Sequence, residues 1–323
     1  MFEQYLYPLF VDFLLARPSP LPSCCEPVKW KNASFLQPMK AQSCPYLKFE
    51  DVPLRVSEAA GETLADHSVA LGRPVNANAT KFEIYAGGAL VRKGGRFGVL
   101  TAGHCLQKRG PKIVDGSPGG DALVLIVQRS HRVVIPPKAL VARALGVPKE
   151  RELEPDLAFL EILPGPHLRA LKALAPFCSL DENPLAMEQE YGKAGRPLTV
   201  IGFPEGLHQA ATAGREGRKI IKHLGFFYGI KKDGLSERDG WDYIEASDVF
   251  SGKNEPDAFK GVSSAPLWGL QITGGKNSRH YALANFALIG MAFLQVRITK
   301  SRVLVRAHFI KSIYDRAWKK LTS

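Results

Sequence analysis

An all-β fold is what this chain predicts, and two observations carry that expectation. Its 323 residues include 30 glycines and 23 prolines, enough turn formers to punctuate many short strands. No internal repeat and no heptad pattern runs along it, so neither a solenoid nor a coiled coil competes with that reading. At 45% hydrophobic and 23% charged residues, a chain of this length buries one large core. A single β domain with an extension fits.

At the N-terminus, Phe2, Leu6, Leu9, Phe10 and Phe13 share one helical face, which predicts a short amphipathic helix packing on the body or on a partner. Glu3 and Asp12 interrupt the apolar run and no basic residue precedes it, features that argue against an export signal, although Leu21-Pro22-Ser23-Cys24 has the look of a lipoprotein cleavage box. Residues 17 to 78 are rich in Pro, Ser and Ala, with scattered Trp30, Phe35 and Leu47. They read as a partly ordered extension, so residues 1–78 are expected to form an N-terminal extension and residues 79–323 the main domain. No run reaches the roughly 20 apolar residues a membrane-spanning helix needs, and no transmembrane segment is expected.

The strand Ala86-Gly87-Gly88-Ala89-Leu90-Val91, the turn from Arg92 to Arg96 and the strand Phe97-Gly98-Val99-Leu100 predict a β-hairpin. It delivers Thr101-Ala102-Gly103-His104-Cys105 to a strand end. An imidazole there can take and return a proton near neutral pH. Further on, Asp156 precedes the apolar run Leu157-Ala158-Phe159-Leu160-Glu161-Ile162 of a core strand. A carboxylate so placed needs a partner, and a histidine ring nitrogen would supply one. Asp115 and Asp121, in Gly-rich loops, are rivals nearer His104 in the chain. Leu198-Thr199-Val200-Ile201-Gly202-Phe203-Pro204 reads as a strand and turn, Gly261-Val262-Ser263-Ser264-Ala265-Pro266-Leu267 as a tight loop entering a strand, and Leu288 to Leu294 as another strand. Val303, Val305, Phe309, Ile310, Ile313 and Trp318 fit a helical period and predict a C-terminal helix over residues 302–321.

These segments, in this order, resemble the trypsin-like (chymotrypsin-fold) serine protease family over roughly residues 80 to 320. The Gly-Gly-Ala-Leu strand and Thr-Ala-Gly-His-Cys resemble its histidine motif, Asp156-Leu157-Ala158-Phe159 its Asp-Ile/Leu-Ala-Leu motif, and Gly261 to Leu267 its Gly-x-Ser-Gly-Gly-Pro-Leu/Val loop. The resemblance implies two antiparallel six-stranded β-barrels of the chymotrypsin type meeting at a cleft, with a C-terminal helix and an N-terminal extension. It implies a serine endopeptidase in which His104 is general base and then acid, Asp156 orients it, and Ser263 attacks a protein or peptide substrate. The backbone N–H groups of Gly261 and Ser263 would form the oxyanion hole. No metal or organic cofactor is implied. The family's pocket-base residue lies six positions before the nucleophile, here Asp257, which would favour Lys or Arg in the substrate; Asn254-Glu255-Pro256-Asp257 equally reads as an ordinary turn. On the strand lining the family's cleft, Phe293 takes the place of a serine that helps hold the acid, and Gln295 the place of a glycine that keeps the pocket open.

Three departures shape the expectation. Ser264 and Ala265 stand where the family has glycines, which favours a second reading, a catalytically impaired relative acting as an interaction or sensor module. Val262 stands in place of the zymogen aspartate and no Arg-Ile-Val-Gly-Gly site precedes the domain, so activation by N-terminal cleavage is not expected. This is similar to the bacterial branch of the family, and restraint by the N-terminal extension or a regulatory protein partner is expected instead. Finally, among the five cysteines Cys24, Cys25, Cys44, Cys105 and Cys178, Cys105 lacks its family disulfide partner, because that position is Ala86. A disulfide-free protein in a reducing compartment, the cytoplasm, is expected, with export through the N-terminus as the alternative. The net charge of +12 is scattered, and its densest stretch, residues 215–223, lacks interleaved aromatics, so nucleic-acid binding is not expected.

Overall fold

The computed structural model describes residues 53–75, 82–109, 122–128, 131–146, 155–192, 197–203, 212–213, 219–220, 226–249, 264–273, 281–297, 299 and 302–319. Helix α1 (Leu54–His67) comes first and buries Val56, Ala60 and Leu64, an i, i+4, i+8 stripe. The first sheet comprises β1 (Ser68–Pro74), β2 (Phe82–Lys93), β3 (Arg96–Thr101), β4 (Leu123–Val127), β5 (His131–Ile135), β6 (Leu140–Gly146), β7 (Leu157–Ile162) and the two-residue β8 (Cys178–Ser179). Helix α2 (Gly103–Arg109) follows β3.

The strand order is β5-β4-β1-β2-β3-β7-β6, with β8 parallel to β2. The β2–β3 hairpin turns on Gly94 and Gly95, with φ of 54° and 78°. Two successive positive φ values give the mirror-image turn that matches strand twist, and glycine adopts it without a Cβ penalty. The seven strands of the path correct the expected count of six. Pro136 and Pro137 divide one run into β5 and β6, since proline has no N–H to continue a ladder. Only residues 136–139, including a 3-10 turn at Pro137–Ala139, separate β5 and β6, the two edges of the sheet, so the chain itself ties those edges together.

Helices α3 (Pro166–Leu174) and α4 (Pro184–Tyr191) lead to β9 (Leu198–Gly202). The short β10 (Thr212–Ala213) and β11 (Lys219–Ile220) pair with each other. Then come β12 (Phe226–Arg238), β13 (Trp241–Val249), β14 (Pro266–Thr273), β15 (Ala282–Arg297) and β16 (Arg302–His308). Six of these pair in a cycle, β12-β13-β16-β15-β14-β9, and β9 pairs back to β12. All the ladders are antiparallel. The fold is mostly β, and one continuous apolar cluster runs from Leu64, Leu71 and Phe159 to Trp268 and Ile289, joining the two sheets.

Two expectations are corrected. Residues 302–308 form a strand rather than the start of a helix: Val305 and Ala307 are buried while Leu304 and Arg306 are half-buried, a period of two, and the strand pairs on both sides with β13 and β15. Helix α5 is confined to Ile310–Tyr314, followed by a 3-10 turn at Arg316–Trp318. The boundary at residue 78 also moves. β1 lies between β4 and β2 as an interior strand, so residues 54–74 belong to the body. Residues 1–52, with the amphipathic Phe2–Phe13 segment and Cys24, Cys25 and Cys44, lie outside the described residues.

Candidate active site

His104 stands in the first turn of α2, directly after the end of β3. The strand end is held by Thr101, buried, whose hydroxyl donates to the Gly87 carbonyl on β2 at 2.8 Å. Asp156 enters from the residue before β7, the strand paired with β3. The two side chains therefore meet because their strands are neighbours, 52 residues apart in sequence.

Asp156 engages His104 twice. Its Oδ1 accepts the His104 backbone N–H at 2.7 Å, and its Oδ2 bonds ring Nδ1. The acid is 1% exposed and the histidine side chain 27%, so the carboxylate is sealed from water while the ring can be reached. An isolated carboxylate so buried would cost several kcal/mol; the paired geometry offsets that. It also fixes the Nδ1–H tautomer and leaves Nε2 as the basic atom. Burial is the largest influence on the ring and favours the neutral form, but the hydrogen bonds to Asp156 and Cys105 outweigh it. His104 is held above its ordinary value of 6.5.

A third residue completes the acid's surroundings. The Asp156 backbone N–H donates to Nε2 of His308 at 3.0 Å. His308 is fully buried at the end of β16, with ring contacts to Phe293 (4.8 Å), Trp241 and Tyr243 (5.2 Å each). Because Nε2 accepts, the ring carries its proton on Nδ1, which has no hydrogen-bond partner among the described residues. Burial pushes His308 down to about 3 and outweighs the pull of Asp156, so the ring stays neutral and remains an acceptor.

Of the other residues singled out, Phe293 is 3% exposed and backs onto His308. Its ring lies tilted against the His308 imidazole, on which the Asp156 backbone rests. Gln295 is half-buried on β15 and pairs with Val305. Ser263, Gly261 and Asp257 lie outside the described residues, as do Asp115 and Asp121. Ser264, next after Ser263, is described. It is fully buried and its Oγ accepts the Gly87 N–H at 2.8 Å, which brings the start of β14 in the second sheet against the strand that supports Thr101. Cys105 is a free thiol with Sγ 3.3 Å from His104 Nε2.

Sequence reasoning missed His308, the Ser264–Gly87 bond and the placement of the Cys105 sulfur. Only the first left a signal, a lone histidine in the apolar run Ala307-His308-Phe309-Ile310. Among the described residues no group of three or more His, Cys, Asp or Glu gathers to hold a metal, and no helix is long and apolar enough to cross a membrane. No protein-family model matches the chain, and no curated protein sequence matches it.

Proposed function

We propose that this chain is a serine endopeptidase built on a chymotrypsin-type pair of barrels. The observation that carries the reading is the His104–Asp156 couple, with an accessible ring whose Nδ1 is bonded by a sealed carboxylate and whose Nε2 is left as the base. The closed six-strand sheet and the edge-tied first sheet support the fold assignment. Ser264 against Gly87 supports the approach of the Ser263 loop to the histidine strand.

In this reading Ser263 Oγ attacks the peptide carbonyl as its proton passes to His104 Nε2, and Asp156 stabilises the imidazolium. The N–H groups of Gly261 and Ser263 hold the oxyanion. His104 then gives the proton to the leaving amine, and water attacks the acyl-enzyme with His104 again as base. Asp257 at the pocket base selects Lys or Arg, and the N-terminal extension or a protein partner restrains the enzyme. The free thiols of Cys105 and Cys178 suit a reducing compartment.

A second reading, an impaired relative that binds rather than cleaves, is favoured by the Cys105 thiol beside Nε2, since it competes for the atom Ser263 must use. A fluorogenic peptide panel varied at the cleaved residue separates the two. Cleavage by the full chain should fall at least about a thousandfold in Ser263→Ala and in His104→Ala, survive in Cys105→Ala, and lose its Lys/Arg preference in Asp257→Ser. No Ser263-dependent cleavage of any peptide supports the binding module.

A further inference from the structure

Ser264 occupies a position where a side chain is disfavoured, and its hydroxyl has a use there. Its φ is 78°, in the left-handed region that favours glycine. Its N–H donates to the Ala292 carbonyl at 2.7 Å, and the Ala292 N–H donates to the Ala265 carbonyl at 2.9 Å. These bonds anchor the start of β14 to β15 and require no side chain. The Oγ does something else: it accepts the Gly87 N–H at 2.8 Å, from a strand of the other sheet. The Gly87 carbonyl in turn accepts from the Thr101 hydroxyl at 2.8 Å, three residues before His104. One buried hydrogen-bond path therefore runs from the strand bearing the base to the residue after the nucleophile. The two backbones are close, since a Cβ at Gly87 would lie 3.5 Å from the Ser264 carbonyl oxygen.

We propose that Ser264 is a positioning residue, its hydroxyl latching the Ser263 loop onto Gly87 and so setting the approach of Ser263 to His104. This rests on the serine-protease reading. Glycine at 264 would relieve the backbone but leave the Gly87 N–H buried without its acceptor, an arrangement that folded proteins avoid. The residue is thus more than a tolerated departure from Gly-Gly-Pro. It does not touch substrate; it acts through Ser263.

Two measurements on the full chain test it. In saturation kinetics with a fluorophosphonate, well below the unfolding temperature, Ser264→Gly and Ser264→Ala should each lower the maximal inactivation rate about tenfold, with half-saturation changed less than about twofold. Amide exchange at Gly87 should quicken at least about tenfold in both. Strain alone predicts the opposite ranking, with Ser264→Gly reacting as fast as wild type or faster, and that result overturns the latch, as does unchanged exchange at Gly87. If wild type takes no label, the protease reading falls, and Gly87 exchange still decides whether the hydroxyl joins the two sheets.

Discussion

The hydrogen bonds around Asp156 decide what His104 can do. Both carboxylate oxygens are committed to His104 and the Asp156 N–H to His308, so the acid has one orientation and the imidazole one tautomer. The carboxylate raises the affinity of the ring for a proton, which carries a sign for the proposed activity, because in that reading His104 serves as base only when neutral. Fluorophosphonate labelling should therefore rise with pH through a midpoint above 6.5, the ordinary histidine value; a midpoint at or below it contradicts the geometry. His104 and Asp156 were legible from sequence because each sits at a recognisable strand end, one behind small residues and one ahead of an apolar run. His308 was not, because its contribution is a contact to the backbone of a residue 152 positions away, and nothing local encodes that.

Among the elements, the β2–β3 hairpin matters most, since it carries both Gly87 and the approach to His104. Gly98 lets β3 lie close to β7: a Cβ there would come 2.1 Å from the Leu160 carbonyl oxygen and 2.7 Å from the Phe159 ring. Gly98→Ala should cost about 1–3 kcal/mol by overpacking, read as a lower denaturant midpoint. An unchanged midpoint would show that the pairing can relax. The hairpin was readable because Gly94-Gly95 meets the turn's demand for positive φ. The last strand was not readable: Val303, Val305, Phe309, Ile310 and Ile313 satisfy a helical period, and only pairing on both edges selects the strand.

Across the molecule, the buried His308 and the half-buried His67 tie the fold to pH. Burial holds His308 at about 3 and His67 at about 4, both below 6.5. His67, at the end of α1, lies against Trp268 and Phe286 of the second sheet, and its Nδ1 is 3.2 Å from Cys178 Sγ. A depressed folded value contributes stability that is fully present above 6.5 and is lost as pH falls toward the folded values. Unfolding at pH 5 should take up protons that unfolding at pH 8 does not, and His308→Gln, which keeps an acceptor for the Asp156 N–H, should take up about one proton fewer. Equal pH dependence in the two proteins contradicts the burial of a neutral His308. The joining of the two sheets at Ser264 and His67 was beyond sequence reasoning, because it depends on register between strands distant in the chain.

Treating the full chain with a fluorophosphonate and mapping the adduct by peptide mass spectrometry shows whether a His104–Asp156 couple serves Ser263. One adduct is expected, on Ser263, lost in His104→Ala and kept in Cys105→Ala. An adduct on another residue, or none on Ser263, contradicts it.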